Sequence, residues 1–187
     1  SDYYLDTETF RRLQVRFIDS VGYMVDSAVG AEEDGNPRMV TTPWYDYEIP
    51  MTDAAELGTK KVMEEHCTIG VVVTTDGTIT DIPRSDYIEA ETRAISDMQK
   101  TGKPFLVIIN SRNPSGEDAK AVQKEIYDTF QVHPMIADCQ ALDTDEICDL
   151  LSNLLYSFPI HQLHIHLPRW LDALESDHPV KKALYEM

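Results

Sequence analysis

Apolar and polar positions change rhythm near residue 50 of this 187-residue chain. Beyond that point, unbroken apolar runs of strand length alternate with stretches whose apolar residues recur at helical spacing. The runs cover 68–73, 104–109 and 134–137, and an earlier one covers 13–18. Helical spacing predicts helices over 53–66, 85–101, 117–130 and 143–158. In the second of these, Ile88, Ala94, Ile95 and Met98 form the apolar stripe, Ser85 is the expected cap, and Gly102-Lys103-Pro104 ends the helix. In the last, Asp143, Asp145 and Glu146 precede Ile147, Leu150, Leu151, Leu154 and Leu155, placing acidic groups at the positive end of the helix dipole.

Val71-Val72-Val73 and Phe105-Leu106-Val107-Ile108-Ile109 are apolar on both faces, as expected of central strands in a parallel sheet covered on each side. Strand–helix alternation with short links predicts an α/β fold, a doubly wound and mostly parallel sheet with flanking helices. Two stretches break the rhythm. Residues 23–52 carry Gly30, Gly35, Pro37, Pro43 and Pro50, show no clear period, and read as a long functional or disordered loop. After Phe158, residues 159–168 read as an amphipathic strand and 170–175 as a short helix. A domain over 1–157 is expected, with 158–187 beginning a following middle domain or linker.

Composition narrows the function classes. Sixteen basic against thirty-three acidic side chains leave a net charge of −17, which argues against nucleic-acid partners and against direct adhesion to anionic lipid. No run approaches the roughly 18 apolar residues that cross a bilayer, and no basic segment followed by an apolar run suggests a secretory leader. Three cysteines, Cys67, Cys139 and Cys148, without C-x-x-C spacing, fit small core residues in a reducing cytosol. The opening Ser1-Asp2-Tyr3 has no initiator Met, which points to sequence upstream.

Ligands in such a sheet sit beyond the carboxyl ends of its strands. Asp19-Ser20-Val21-Gly22 follows the first run. Asp19 there can hold magnesium through a water, and Gly22 can turn its N–H toward a γ-phosphate. Equally, Asp19 can cap a turn while Gly22 supplies a positive φ. Thr74-Thr75-Asp76-Gly77-Thr78 after the second run can line a site or form a simple turn. Asn110-Ser111-Arg112-Asn113 stands where GTP-binding proteins carry N-K-x-D. Asn113 in place of the Asp cannot form the charged bidentate pair with guanine, so guanine selectivity is expected to be lost. His164 and His166 read as a solvated strand face, since no third ligand accompanies them, and Cys67 as structural.

Several longer segments carry a resemblance. They include Val15-Arg16-Phe17-Ile18-Asp19-Ser20-Val21-Gly22-Tyr23, Glu56-Leu57-Gly58-Thr59-Lys60-Lys61-Val62, and the block from Thr68 through Thr78 to Arg84-Ser85-Asp86-Tyr87-Ile88-Glu89-Ala90-Glu91. Together with Gly35-Asn36-Pro37-Arg38-Met39 and Thr42-Pro43-Trp44-Tyr45, they resemble the stage IV sporulation protein A family across nearly the whole chain. The resemblance implies a P-loop GTPase-like (TRAFAC-like) domain turned to ATP hydrolysis, which drives polymerisation into the basement layer of the spore coat. It implies ATP and magnesium as ligands of the full-length protein, with Asp19 as the magnesium-side carboxylate. It implies self-association, a small amphipathic membrane-anchoring peptide and other coat proteins as partners, and a place in the mother-cell cytoplasm at the outer forespore membrane. The family's G-x-x-x-x-G-K-[ST] loop, first strand and switch threonines would lie upstream of Ser1, so this piece alone is expected to be inactive. The competing expectation is a non-enzymatic assembly scaffold using residues 23–52 as its contact surface.

Overall fold

The computed structural model describes residues 2–5, 13–25, 27–28, 30, 32–33, 35–156 and 178–179. Its organising element is a three-stranded parallel sheet of β7 (Gly70–Thr75), β8 (Phe105–Asn110) and β9 (Met135–Ala137), in that order. β7 and β8 run in register from Gly70 opposite Phe105 to Thr75 opposite Asn110. Helices α2 (Arg84–Thr101), α3 (Glu117–Phe130) and α4 (Thr144–Tyr156) connect or follow these strands. Ile95 and Met98 of α2 and Val122 and Ile126 of α3 bury against Val72, Val107 and Ile109, so these two helices share one face of the sheet. Leu150 and Leu154 of α4 line an apolar cavity with Leu106 and Ile108 on the other. The α/β class and these helices agree with the periodicity.

Local chemistry explains the helix ends. Gly102 closes α2 at φ 66°, the left-handed conformation that a residue without Cβ adopts cheaply, and donates its N–H to Gln99 O. Asp143 and Glu146 form a reciprocal capping box at α4: Glu146 N–H donates to Asp143 Oδ1 at 2.9 Å and Asp143 N–H to Glu146 Oε2 at 3.0 Å. Ser85 is not the cap of α2. The helix starts one residue earlier, behind Pro83, and the Ser85 hydroxyl bonds Asp86 instead.

Three expectations are overturned. The run at 13–18 does not join the parallel sheet: β2 (Leu13–Arg16) pairs antiparallel with β1 (Asp2–Leu5). β7 is therefore an edge strand among the described residues, not a central one, and Val71 and Val73 are 44% and 58% exposed. Apolarity on both faces marked a strand correctly but not its neighbours.

Residues 23–52 are not one loop. β3 (Glu32–Glu33) pairs with β4 (Asn36–Pro37), and β5 (Met39–Thr42) with β6 (Tyr45–Pro50), the latter hairpin turning at Pro43-Trp44. β6 leads directly into α1 (Met51–Lys61), which is prolonged by a π-helical turn to His66. Gly58 in mid-helix has a reason: a Cβ there would meet the Trp44 ring at 3.3 Å. The expected strand at 159–168, the helix at 170–175, His164 and His166, and the boundary at 157 lie outside the described residues. Among the described residues no helix is long and apolar enough to cross a membrane.

Candidate functional site

The carboxyl ends of the three parallel strands are stitched together by side chains from the loops that follow them. After β7, Gly77 turns the chain at φ 92° while Thr75 Oγ1 accepts the Gly77 N–H at 3.0 Å. Asp76 Oδ1 accepts both the N–H of Thr78 at 3.0 Å and its hydroxyl at 2.6 Å. Thr78 Oγ1 in turn accepts the Arg112 N–H at 3.0 Å, and the Arg112 guanidinium reaches Ile79 O. Ser111, wholly buried, donates its hydroxyl to Asp76 and accepts the Asn113 N–H at 3.0 Å. Burial alone would raise the Asp76 carboxyl, but the hydrogen bonds from Ser111, Thr78 and the main chain prevail and hold it below its ordinary value.

Asn110, the last residue of β8, uses its side-chain oxygen to accept the Cys139 N–H at 2.9 Å, tying the β8 end to the loop after β9. Ser111 N–H donates to Ala137 O across the same junction. Asn110 and Asn113 thus belong to a built loop cluster, with Asn113 exposed at its rim. Of the two readings given to the Thr74–Thr78 segment, the turn is the one observed. It forms one wall of the strand-end cluster.

Asp19 and Gly22 lie elsewhere, in a pocket of about 360 Å³ against the open edge of β7, which Val73, Thr74, Thr59 and Glu91 also line. Asn110 and Asn113 do not line it. The two groups of residues flank the carboxyl end of β7, with Thr74 facing the pocket and Thr75-Asp76 entering the loop cluster.

The segment carrying Asp19 is fastened at its far end. Gly22, at φ 83°, donates its N–H to Thr59 Oγ1 at 2.9 Å, and the same hydroxyl approaches Gly22 O at 3.3 Å. Tyr23 donates its hydroxyl to Asp97 Oδ2 at 2.7 Å, and Lys60 lies 3.3 Å from the same carboxylate. Lys60 also pairs with Glu56, which Arg93 bonds at 3.1 Å from beside the Tyr23 ring. Burial, the bond to Asp97 and the charges of Asp97 and Glu56 push the Tyr23 phenol well above its ordinary value. Burial would raise Asp97, but hydrogen bonds from Lys100, Tyr23 and Lys60 outweigh it and keep it ionised. Asp19 itself is exposed.

Glu91 escaped the sequence reading. It is 6% exposed, accepts the Thr74 hydroxyl at 2.5 Å on one oxygen and the Arg84 guanidinium at 2.7 Å on the other. A visible signal existed: a carboxylate three residues from Ile88 and four from Ile95 sits on the apolar stripe of α2 and demands a buried partner. Among the described residues no group of three His, Cys, Asp or Glu could enclose a metal ion. The donor set at Asp19 is one exposed carboxylate, which fits a hydrated magnesium ion met through its water shell and not a caged one.

Comparison with known proteins gives this geometry a context. The family described as "Stage IV sporulation protein A, ATPase domain" matches residues 4–159. Stage IV sporulation protein A of Bacillus subtilis (strain 168) is 40% identical over 174 residues, covering 93% of this chain and 35% of that protein. The protein of the same name from Bacillus anthracis is 39% identical over the same shares. That of Clostridioides difficile (strain 630) is 38% identical over 172 residues, or 92% of this chain and 35% of the relative. The chain thus spans about a third of the length of the curated relatives it matches. No solved structure matches it.

Proposed function

The chain belongs to the stage IV sporulation protein A family, within the part described as its ATPase domain, and from that premise we propose that it forms the base-side and magnesium-side portion of an ATP-hydrolysing domain. The observation that carries this reading is the match of an ATPase domain to residues 4–159, which includes both Asp19 and the strand-end cluster. In this reading the fold is GTPase-like. The open edge of β7, with Val71 and Val73 exposed, would receive a strand and a phosphate-binding loop contributed by another part of the longer protein.

Asp19 would hold magnesium through a water at the mouth of the pocket, and the ion supplies charge neutralisation for the phosphates. Gly22 would present its N–H to the γ-phosphate. Asn110 fixes the loop after β8 by accepting the Cys139 N–H, and Asn113 would then face the base from the rim of that loop. Ser111 supports that loop from within. A neutral Asn113 offers no charged acceptor to guanine, which supports ATP as the substrate. Hydrolysis would drive self-association on the outer forespore membrane surface in the mother-cell cytoplasm, with a small amphipathic membrane-anchoring peptide and other spore coat proteins as partners.

A second reading, an assembly scaffold without hydrolysis, is favoured by one observation. Trp44, Tyr45 and Tyr47 of the β5–β6 hairpin are exposed together, an aromatic surface of the kind that protein contacts use. Phosphate release by the full-length protein separates the readings. Hydrolysis that Asp19→Ala abolishes supports the ATPase, and no hydrolysis with intact assembly supports the scaffold.

A further inference from the structure

The Gly22 N–H that the proposed function assigns to a γ-phosphate is already occupied. Thr59 Oγ1 accepts it at 2.9 Å and stands 3.3 Å from the Gly22 carbonyl, so one hydroxyl closes on both sides of the same residue. Thr59 is 4% exposed and sits on the face of α1 that lines the pocket holding Asp19. Nothing about a helix requires this. A threonine in a helix interior ordinarily turns its hydroxyl back to its own helix or to solvent, and this one serves another segment.

We propose that Thr59 is a positioning residue that latches Gly22, competing with the nucleotide for the Gly22 N–H and setting how readily the Asp19–Gly22 segment engages phosphate. The inference rests on the assignment of Gly22 to the phosphate. A neutral hydroxyl is a weaker acceptor than a phosphate oxygen, so the exchange runs toward phosphate when a nucleotide is present and back to Thr59 when it is not. The next residue does not follow. Tyr23 is bonded to Asp97, which Lys60 and Lys100 also hold, so the change is confined to a swivel at Gly22, where φ 83° already needs a glycine. Release of Gly22 removes a tie to α1, and α1 is the helix onto which the β5–β6 hairpin turns, through Met51 N–H to Arg38 O and Trp44 against Gly58.

The test uses full-length protein, a non-hydrolysable ATP analogue with magnesium, and two variants. Thr59→Val keeps the shape and removes the hydroxyl, and Thr59→Ser restores it. Without nucleotide, the Gly22 amide should exchange with deuterium slowly in the wild type and in Thr59→Ser, and fast in Thr59→Val. Thr59→Val should then bind the analogue roughly two- to tenfold more tightly, the worth of one ordinary hydrogen bond no longer broken on binding. A residue that merely supports the fold would lower stability and weaken binding. Equal or weaker binding by Thr59→Val, with Thr59→Ser normal, overturns the latch. Thr59→Ala provides the same comparison where Thr59→Val fails to fold. The underlying assignment is read in Thr59→Val, where no hydroxyl protects Gly22. If the analogue binds yet leaves the fast Gly22 exchange of that variant unslowed, or does not bind, that assignment fails. If the analogue slows Gly22 exchange in Thr59→Val and that variant binds no tighter than the wild type, only the latch fails.

Discussion

The hydroxyl of Ser111 accepts the backbone N–H of Asn113 at 3.0 Å from a position with no solvent exposure, so the loop after β8 is shaped from the inside. In the proposed GTPase-like reading this is the lysine position of N-K-x-D, and here the site has room for a hydroxyl facing Asp76. Ser111→Lys should therefore cost about 3 kcal/mol or more of stability, because a charged side chain would enter a filled interior. Urea denaturation measures it, and a loss below about 0.5 kcal/mol would show that the loop opens freely.

Base selectivity has to be tested at Asn113 alone, which is exposed and should therefore tolerate the change. Asn113→Asp in the full-length protein should shift the ATP/GTP preference toward GTP by up to about 5- to 150-fold, the range of one bidentate charged pair. Competition binding that shows no shift means this loop does not touch the base, and any adenine preference arises elsewhere.

Much of this arrangement was legible from the chain. Helical spacing located α2, α3 and α4, and unbroken apolar runs located β7, β8 and β9, because burial on a face imposes a period. Pairing partners were not legible, since Val15 and Arg16 read as a strand whether the neighbour is β1 or a parallel sheet. The β5–β6 hairpin was missed despite Tyr45-Asp46-Tyr47-Glu48-Ile49, a plain two-residue alternation that the flanking prolines obscured. The Thr59–Gly22 and Thr74–Glu91 bonds join residues 37 and 17 apart, and no local pattern encodes a side chain meeting a distant backbone or helix.

Among the described residues Glu91 and Arg84 form the most enclosed ion pair, with 4% and 16% of their side chains exposed. Removing one member strands the other. Glu91→Ala should destabilise by about 3–5 kcal/mol, and Glu91→Gln by less, since an amide oxygen can still accept from Thr74. A thermal midpoint for Glu91→Ala equal to wild type would mean that Arg84 finds water or Glu125 without cost.

Asp76 and Asp97 are both held below their ordinary value of 3.8. A depressed folded-state value makes each carboxylate stabilising above about pH 4, and that contribution disappears as pH falls through the lower folded-state value. Asp76→Asn should therefore be less stable than wild type near neutrality and show a flatter loss of stability below about pH 4. Denaturation midpoints across that range check the sign, and parallel acid limbs in the two proteins would contradict it.

Asp19 is exposed, whereas Gly22 and Tyr23 carry the bonds that hold its segment. Asp19→Ala in the full-length protein should then leave stability within about 0.5 kcal/mol while lowering ATP turnover by orders of magnitude. Normal turnover would make Asp19 a turn residue.

The 187-residue chain by itself should bind ATP too weakly for calorimetry to detect. Affinity for a triphosphate comes chiefly from a cradle of backbone N–H groups with a lysine on the β- and γ-phosphates, and G-x-x-x-x-G-K-[ST] occurs nowhere in this sequence. The N–H groups that could substitute are engaged: Gly22 with Thr59, Gly77 with Thr75, and Thr78 with Asp76. One water-mediated carboxylate at Asp19 adds charge of the wrong sign unless magnesium arrives with the nucleotide. The full-length protein should bind ATP under the same conditions. Micromolar binding by the short chain would place a phosphate site among these residues, with the Thr74–Thr78 turn as the first place to look, and would remove the need for a strand added at the open edge of β7.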